Sequence, residues 1–128
     1  MSNQQFIIDV TPANLQQVLQ ASMETPVIFD FWADWCQPCK QMAPVLEKLV
    51  RELDGRVLLA KVNADVQQEV AAQFQVRSLP TLKLVVQGRL VEAWWCGMAN
   101  FKTWKQTTTY SSVRASIFTK LGISAPEG

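Results

Sequence analysis

The sequence predicts an α/β fold in which helices cover a central sheet with mixed strand directions. Apolar, strand-like segments alternate three times with segments of helical spacing, and a hairpin pattern follows the third helix. Two of the strand-like runs, residues 26–32 and 56–62, are almost uninterrupted apolar sequence, which is typical of strands covered on both faces. We therefore expect the order βαβαβα followed by two hairpin strands, within one domain over residues 1–128.

The first strand and helix occupy the amino-terminal part of the chain. The sequence FIIDV, residues 6–10, predicts a strand. Thr11 stands where a helix N-cap is expected, and Pro12 suits the first helical position. Three apolar residues then fall on one helical face: Leu15, Val18 and Leu19.

The second helix is predicted from Gln37 to about Asp54, soon after the strand over residues 26–32. Its apolar residues recur with helical spacing: Met42, Val45, Leu46, Leu49 and Leu53. Gly55 suits the position after the helix, because glycine readily adopts the left-handed conformation that ends many helices.

A strand over residues 56–62, a third helix and a hairpin complete the regular part of the sequence. Asp65 is expected to cap the helix, whose apolar residues are Val66, Val70 and Phe74. Residues 81–95 predict two strands joined by a tight turn at Gln87 and Gly88.

Composition limits the classes of function. Lys and Arg number 12 against 11 Asp and Glu, and the resulting net charge of +1 does not favour nucleic-acid binding. No apolar stretch is long enough to span a bilayer, and the start, MSNQQFIIDV, lacks the features of a signal peptide. We therefore expect a cytoplasmic protein without a membrane or nucleic-acid partner. Structural disulfides are rare in the cytoplasm, so a close cysteine pair there is more often catalytic or metal-binding.

The sequence WCQPC places Cys36 and Cys39 at the predicted start of the second helix. A closed zinc site needs about four Cys or His ligands, but this chain has three cysteines and no histidine, so no metal is expected. Cys39 would lie one turn after Cys36, and the positive end of the helix dipole favours a thiolate at Cys36. A thiolate attacks disulfides, and a second thiol behind it resolves the mixed disulfide. The pair therefore predicts thiol–disulfide exchange, with two incidental buried cysteines as the alternative.

Asp30 and Lys61 each interrupt an apolar strand. A carboxyl group buried in such a strand has a raised pKa and can carry a proton at neutral pH. If the two strands are adjacent, Asp30 and Lys61 can pair beneath the cysteines and handle protons for them. A structural ion pair, or a lysine whose ammonium reaches solvent, is the alternative.

Three segments together resemble the thioredoxin family: VIFDFWADWCQPCKQMAPVLEKL, LLAKVNAD and VRSLPTLKLVVQG. They correspond to the family's active-site strand and helix, the strand with its buried lysine, and the segment with its cis-proline. The resemblance covers residues 6–93 in order, which makes it far more specific than a lone C-x-x-C motif. It implies a thioredoxin fold, a three-layer α/β/α arrangement around a mixed sheet, and dithiol–disulfide exchange without a cofactor.

The resemblance also implies a role for each site residue. Cys36 would be the nucleophile, Cys39 the resolving thiol, and Asp30 and Lys61 the proton-handling pair. The residues implied for substrate docking are Trp35, Gln37, Pro38, Leu79 and Pro80, with a cis peptide bond between the last two. The implied partners are disulfide-containing proteins and a thioredoxin reductase, and we expect a monomer.

The sequence departs from the family pattern in two places. Gln37 replaces the usual glycine between the cysteines and should change redox poise and substrate fit. Near the end, Gly97 comes one residue late and Cys96 takes the glycine's place. Either a bulge near Trp94 and Trp95 absorbs the extra residue, or the tail packs differently from that of the family. Cys96 is then either a small buried side chain or a regulatory thiol near Cys36. The tail over residues 96–128 is atypical of the family, although the spacing of Val113, Ile117 and Leu121 predicts a short helix.

A second function class fits the same residues. The segments NLQQVLQASMETPV and LAKVNADVQQEVAAQFQVRSLPT resemble the thioredoxin domain of chaperedoxins, which hold unfolding proteins and protect their cysteines. An apolar client-binding patch would then consist of four aromatic residues: Trp94, Trp95, Phe101 and Trp104. Core packing of some of them is the alternative.

Overall fold

A mixed five-stranded sheet forms the centre of the protein in a computed structural model that describes residues 6–94, 118, 119 and 122. The strands are β1 (Ile7–Asp9), β2 (Val27–Trp32), β3 (Leu58–Asn63), β4 (Thr81–Val86) and β5 (Arg89–Trp94). They lie in the order β1-β3-β2-β4-β5. β1 and β2 run parallel to β3, whereas β4 is antiparallel to both β2 and β5. The predicted mixed sheet is therefore confirmed.

Within residues 6–94, three helices cover the two faces of the sheet. They are α1 (Leu15–Ala21), α2 (Gln37–Leu53) and α3 (Gln68–Gln73), so the predicted order of elements is confirmed. α2 packs on one face through a cluster that we call the α2-side cluster: Ile28, Met42, Leu46, Leu49, Val50, Leu53, Val57, Leu59, Leu82, Leu84 and Phe118. α1 and α3 pack on the other face, on Val27, Phe29 and Phe31 of β2.

The alternation of side chains in β2 and β3 decides which residues face α2. In β2, Ile28 belongs to the α2-side cluster, and Asp30 points to the same face because side chains two residues apart share a face. In β3, Leu59 likewise places Lys61 on that face. The two charged residues of the central strands therefore both lie beneath α2.

The start of α1 differs from the prediction. Residues 11–14 form a turn, and the N-cap is Asn14 rather than Thr11. The Asn14 side chain organises this turn, because its Oδ1 accepts from the Thr11 amide at 2.8 Å and its Nδ2 donates to the Asp9 carbonyl at 2.9 Å. Asparagine can bond local backbone groups in this way outside a helix, and the helix begins one turn later than expected.

The start of α3 differs for a similar reason. Val66, expected on the apolar helix face, precedes the helix and is 68% exposed. The Asn63 side chain accepts hydrogen bonds from the amides of Asp65 and Val66, at 3.0 and 3.3 Å, and holds a turn there. Val70 and Phe74 contribute to the core as predicted.

The β4–β5 hairpin turns at Gln87 and Gly88, as predicted, and both residues have positive φ angles, of 53° and 76°. Ser22, at the end of α1, fastens this turn. Its carbonyl accepts from the Gln87 amide at 2.7 Å, and its hydroxyl accepts from the Gly88 amide at 2.9 Å. The hairpin is thus tied to the core of the molecule at its turn as well as along β4.

β5 contains a bulge. Leu84 pairs with Glu92 whereas Val85 pairs with Leu90, so Val91 has no counterpart on β4. A bulge near Trp94 and Trp95 is one of the two alternatives from the sequence, and the bulge that the structure describes lies earlier in the strand.

Several sequence predictions fall outside the described residues. Trp95, Cys96, Phe101 and Trp104 are among them, as is most of the predicted closing helix. Phe118 and Thr119 are helical, and Phe118 packs in the α2-side cluster. Among the described residues, no helix has the length and apolar character needed to cross a membrane.

Candidate active site

Three connecting segments meet at the end of the sheet where β2 and β3 finish and β4 begins. Trp32, the last residue of β2, pairs with Asn63, the last residue of the parallel strand β3. β4 is antiparallel to β2 and begins at the same end, where Thr81 pairs with Phe31. We call the connecting segments at this end of the strands the loop edge, and they comprise residues 33–36, 64–67 and 77–80.

Cys36 lies at the loop edge as the N-cap of α2. Its sulfur accepts a hydrogen bond from the Cys39 amide at 3.2 Å, which satisfies one of the free N–H groups of the first helical turn. Pro38 falls within that first turn, where its missing N–H removes no helical hydrogen bond. The sequence thus makes Cys36 the N-cap of α2 and places its sulfur at the positive end of the helix dipole.

Cys36 and Cys39 form a disulfide, and their Cα atoms are 5.3 Å apart. Each cysteine is 3% exposed. The helical spacing predicted from the sequence therefore brings the two sulfurs within bonding distance. Within the residues that the structure describes, no group of three or more His, Cys, Asp or Glu side chains is arranged to hold a metal ion.

The residues expected to dock substrate lie at the loop edge or at the start of α2. Gln37 is exposed, and Pro38 is half-buried. Leu79 is half-buried and Pro80 is buried, and the peptide bond between them is cis, as the resemblance implies.

Trp35 is the most exposed aromatic residue beside the disulfide, at 68%. Its indole Nε1 donates to Asp65 Oδ2 at 2.9 Å, across from the segment that follows β3. This contact links two of the three segments of the loop edge and fixes the orientation of the ring. A cavity of about 360 Å³ lies between Trp35, Asp65, Val76 and Leu79.

Asp30 lies on the central strand beneath α2 and is 3% exposed. Burial raises the pKa of its carboxyl to about 7, because the low-dielectric interior disfavours the charged form. The positive charge of Lys61 lowers that pKa, and the negative charge of Glu47 raises it. The carboxyl therefore changes protonation state near neutral pH.

A cavity of about 230 Å³ lies between Asp30 and Cys39. Its lining includes Asp30 and Lys61 from the sheet and Cys39 and Lys40 from α2, together with Trp32. Asp30 and Cys39 therefore face one space. The indole Nε1 of Trp32 is buried without a hydrogen-bond partner among the described residues.

Lys61 is paired directly with Asp30 in the β2–β3 register, as the proposed pairing of these residues requires. The ion pair that Lys61 forms, however, is with Glu47 of α2, at 3.2 Å between Nζ and Oε2. Its ammonium also lies 5.7 Å from the centre of the Trp32 ring. The positive charge of Lys61 beside Asp30 thus also interacts with a second carboxylate, that of Glu47.

The family model described as Thioredoxin matches residues 6–100 of this chain. The chain belongs to the thioredoxin family. Two curated relatives illustrate the match. Thioredoxin from Haemophilus influenzae is 44% identical over 85 residues, which are 66% of this chain and 78% of that protein. Thioredoxin 1 from Chlorobaculum tepidum is 52% identical over 67 residues, or 52% of this chain and 66% of that protein.

A solved structure shows the same fold. A mutant thioredoxin from Halobacterium salinarum NRC-1 has a TM-score of 0.69 and 25% sequence identity, with 94% of each chain covered. The three-layer thioredoxin fold predicted from the sequence is thereby confirmed. Family membership and the Cys36–Cys39 disulfide identify a thiol–disulfide oxidoreductase. These comparisons do not favour the chaperedoxin alternative.

Sequence reasoning misses two side-chain contacts at this thioredoxin-family site. The sequence predicts Asp65 as a helix cap, whereas the structure shows it as the hydrogen-bond partner of Trp35. Glu47 is not singled out by the sequence patterns at all, although it binds Lys61. A weak signal for Glu47 exists, because it follows Cys39 and Ala43 at intervals of four residues and so lies along the same side of α2.

Proposed function

We propose that this protein reduces disulfides in other proteins by dithiol–disulfide exchange through Cys36 and Cys39. The observation that carries the proposal is the Cys36–Cys39 disulfide at the start of α2, which shares a cavity with the buried carboxyl of Asp30. The disulfide is the oxidised product of the reaction, and the carboxyl is a proton acceptor at the resolving sulfur.

The reaction has two steps. The Cys36 thiolate attacks one sulfur of the substrate disulfide, and that S–S bond breaks as a Cys36–substrate bond forms. Cys39 then gives its proton to Asp30 and attacks the Cys36 sulfur, which displaces the second substrate sulfur. Two electrons pass from the cysteine pair to the substrate, and the leaving sulfurs take up protons from solvent.

Asp30 and Lys61 are proposed to handle the proton of Cys39. A base works best when its pKa lies near the working pH, and the pKa of about 7 for Asp30 meets that condition. Lys61 stabilises the ionised form of the carboxyl, which would otherwise bear an uncompensated buried charge.

Substrate docking is proposed at Trp35, Gln37, Pro38, Leu79 and Pro80. Their positions at the loop edge and at the start of α2, which carries the disulfide, support this role. The exposed ring of Trp35 offers apolar contact area and is oriented by Asp65.

The oxidised pair has to be reduced for another cycle, and a thioredoxin reductase is the proposed donor. We further propose that the protein works as a monomer of one domain in the cytoplasm, without a nucleic-acid or membrane partner. Cys96 lies outside the described residues, and both alternatives for it, a small buried side chain and a regulatory thiol, stay predictions.

The test is insulin reduction coupled to NADPH and a thioredoxin reductase. The wild-type protein should turn over, Cys36→Ser should be inactive, and Cys39→Ser should accumulate a mixed disulfide with substrate that mass spectrometry detects. Equal turnover by the wild-type protein and Cys36→Ser would rule out the proposed nucleophile.

A further inference from the structure

We propose that Glu47 is a positioning residue for the exchange reaction. It holds the Lys61 ammonium between α2 and β3, and it thereby sets how strongly that ammonium attracts the ionised carboxyl of Asp30. The inference rests on the proposed role of Asp30 as proton acceptor for Cys39. It adds a second carboxylate to the proton-handling pair, placed on the helix that carries the cysteines.

Glu47 contacts the Lys61 ammonium directly. Lys61 Nζ donates to Glu47 Oε2 at 3.2 Å. The Lys61 and Glu47 side chains are 20% and 31% exposed, so solvent screens this pair less than a surface salt bridge. A lysine side chain has a flexible stem of four carbons, and without an anchor its ammonium would have several positions within reach.

The Lys61 ammonium is also the positive charge that β3 places beside Asp30 of β2. Lys61 and Asp30 are paired in register and line one cavity. Glu47 therefore acts on Asp30 in two ways, which have the same sign. Its own negative charge disfavours a second carboxylate nearby, and its ion pair draws part of the ammonium's attraction away from Asp30.

Other charged or titratable groups face this region and have to be considered. Asp34 follows β2, and Lys40 and the two cysteines belong to the start of α2; Asp34, Lys40 and Cys39 line the same cavity as Asp30. β4 adds no charge there, because its residue opposite Asp30 is Leu82. Of the acidic side chains that the structure describes, Glu47 is the one that forms an ion pair with Lys61.

The decisive measurement is an NMR titration of the Asp30 carboxyl carbon in the oxidised full-length protein. In Glu47→Gln, which keeps an oxygen acceptor for Lys61 but loses the charge, the midpoint should fall by about half a pH unit or more. In Lys61→Gln it should rise. Glu24→Gln is the matched control, because it makes the same charge change at an exposed position near the opposite edge of the sheet, and its midpoint should equal that of the wild type.

A double-mutant cycle separates positioning from direct repulsion. If Glu47 acts through Lys61, the shift caused by Glu47→Gln should shrink in the Lys61→Gln background. An unchanged midpoint in Glu47→Gln overturns the proposal. A shift of equal size in both backgrounds also overturns it, because the effect would then be direct repulsion alone.

The pH profile of mixed-disulfide resolution connects the titration to the reaction. With a lower midpoint, more Asp30 is ionised at pH 6, so Glu47→Gln should resolve the mixed disulfide about two- to threefold faster there. If Asp30→Asn resolves as fast as the wild type, the proposed role of Asp30 fails and the catalytic part of this inference fails with it. If Asp30→Asn is slow while Glu47→Gln leaves the titration unchanged, the Glu47 inference alone fails.

Discussion

Asp30 is a costly residue in its position, because a carboxyl on the central strand is excluded from water. An aliphatic side chain there would extend the α2-side cluster, which includes Ile28, two residues earlier on the same face of β2. The carboxyl instead shares a cavity with Cys39 and has a pKa of about 7. Such an arrangement is typical of a group retained for chemistry rather than for stability.

At the residue scale we predict that Asp30→Asn slows the resolving step by roughly a hundredfold, because an amide cannot take the proton of Cys39. Stopped-flow measurement of mixed-disulfide decay tests this. In the wild type the rate should rise with pH through about 7 as the carboxyl ionises, and the variant should lack that rise. An Asp30→Asn profile that matches the wild type contradicts the prediction.

Trp35 shows the limit of sequence reasoning at this scale. The motif identifies the tryptophan, but its partner Asp65 is 30 positions away in the sequence. Only the parallel pairing of β2 and β3 brings their following segments together. The same reason hides Glu47, whose contact with Lys61 spans two elements.

At the scale of elements, the sequence predicts the long, strongly patterned ones well. The pattern predicts α2 from Gln37 to about Asp54, and the helix runs over Gln37–Leu53. The predicted starts of α1 and α3 are wrong, because the side chains of Asn14 and Asn63 bond to the backbone and hold turns before each helix. Propensity cannot distinguish such a turn from a helix cap, since the same residue types favour both.

Ser22 is expected to stabilise the hairpin through its hydroxyl, which accepts from the Gly88 amide and donates to the Leu19 carbonyl. Ser22→Ala should lower the free energy of unfolding by about 1 kcal/mol, because the Gly88 amide and the Leu19 carbonyl then lose their hydrogen bonds to the hydroxyl. Urea denaturation measures this loss. Insulin reduction at a temperature where the variant is folded should equal that of the wild type, and a loss of activity there would contradict a purely structural role.

The hairpin turn offers a stabilising change. Gln87 has a φ of 53°, a conformation that asparagine adopts more readily than glutamine, and Gly88 follows it with a φ of 76°. Gln87→Asn should therefore raise the unfolding free energy by about 0.5 kcal/mol. Thermal unfolding tests this prediction. Gly88→Ala is the opposing control, because a Cβ is strained at that φ, and it should lower the melting temperature.

At the scale of the whole molecule, the stability of the oxidised protein should depend on pH through Asp30. Its pKa is about 7 in the folded protein and near 3.8 in the unfolded chain. Between those values the folded state holds a proton that the unfolded state has lost, so stability falls as pH rises and levels off above about 7. The fall is on the order of 4 kcal/mol at most, at 1.36 kcal/mol per pKa unit.

Denaturation at pH 5 and pH 8 measures this dependence. The wild type should be less stable at pH 8, and Asp30→Asn should remove most of the difference. Equal stability of the wild type at the two pH values would mean that the carboxyl titrates near its ordinary value.

The architecture as a whole is predictable because each level of the sequence agrees with it. Two apolar central strands, a hairpin with a glycine in its turn and a long amphipathic helix leave few alternative arrangements. The position of the bulge at Val91 is not predictable in the same way, because an extra residue can be absorbed at several positions along an outer strand.

The Cys36–Cys39 disulfide lies at the loop edge, whereas the Gln87–Gly88 turn and Ser22 lie at the opposite end of the strands, where β2 starts and β4 ends. A tether attached by a cysteine-independent reaction near Glu24 would therefore leave the disulfide pointing away from a solid support. Immobilised in that orientation, the protein should serve as a reusable reducing surface for large substrates.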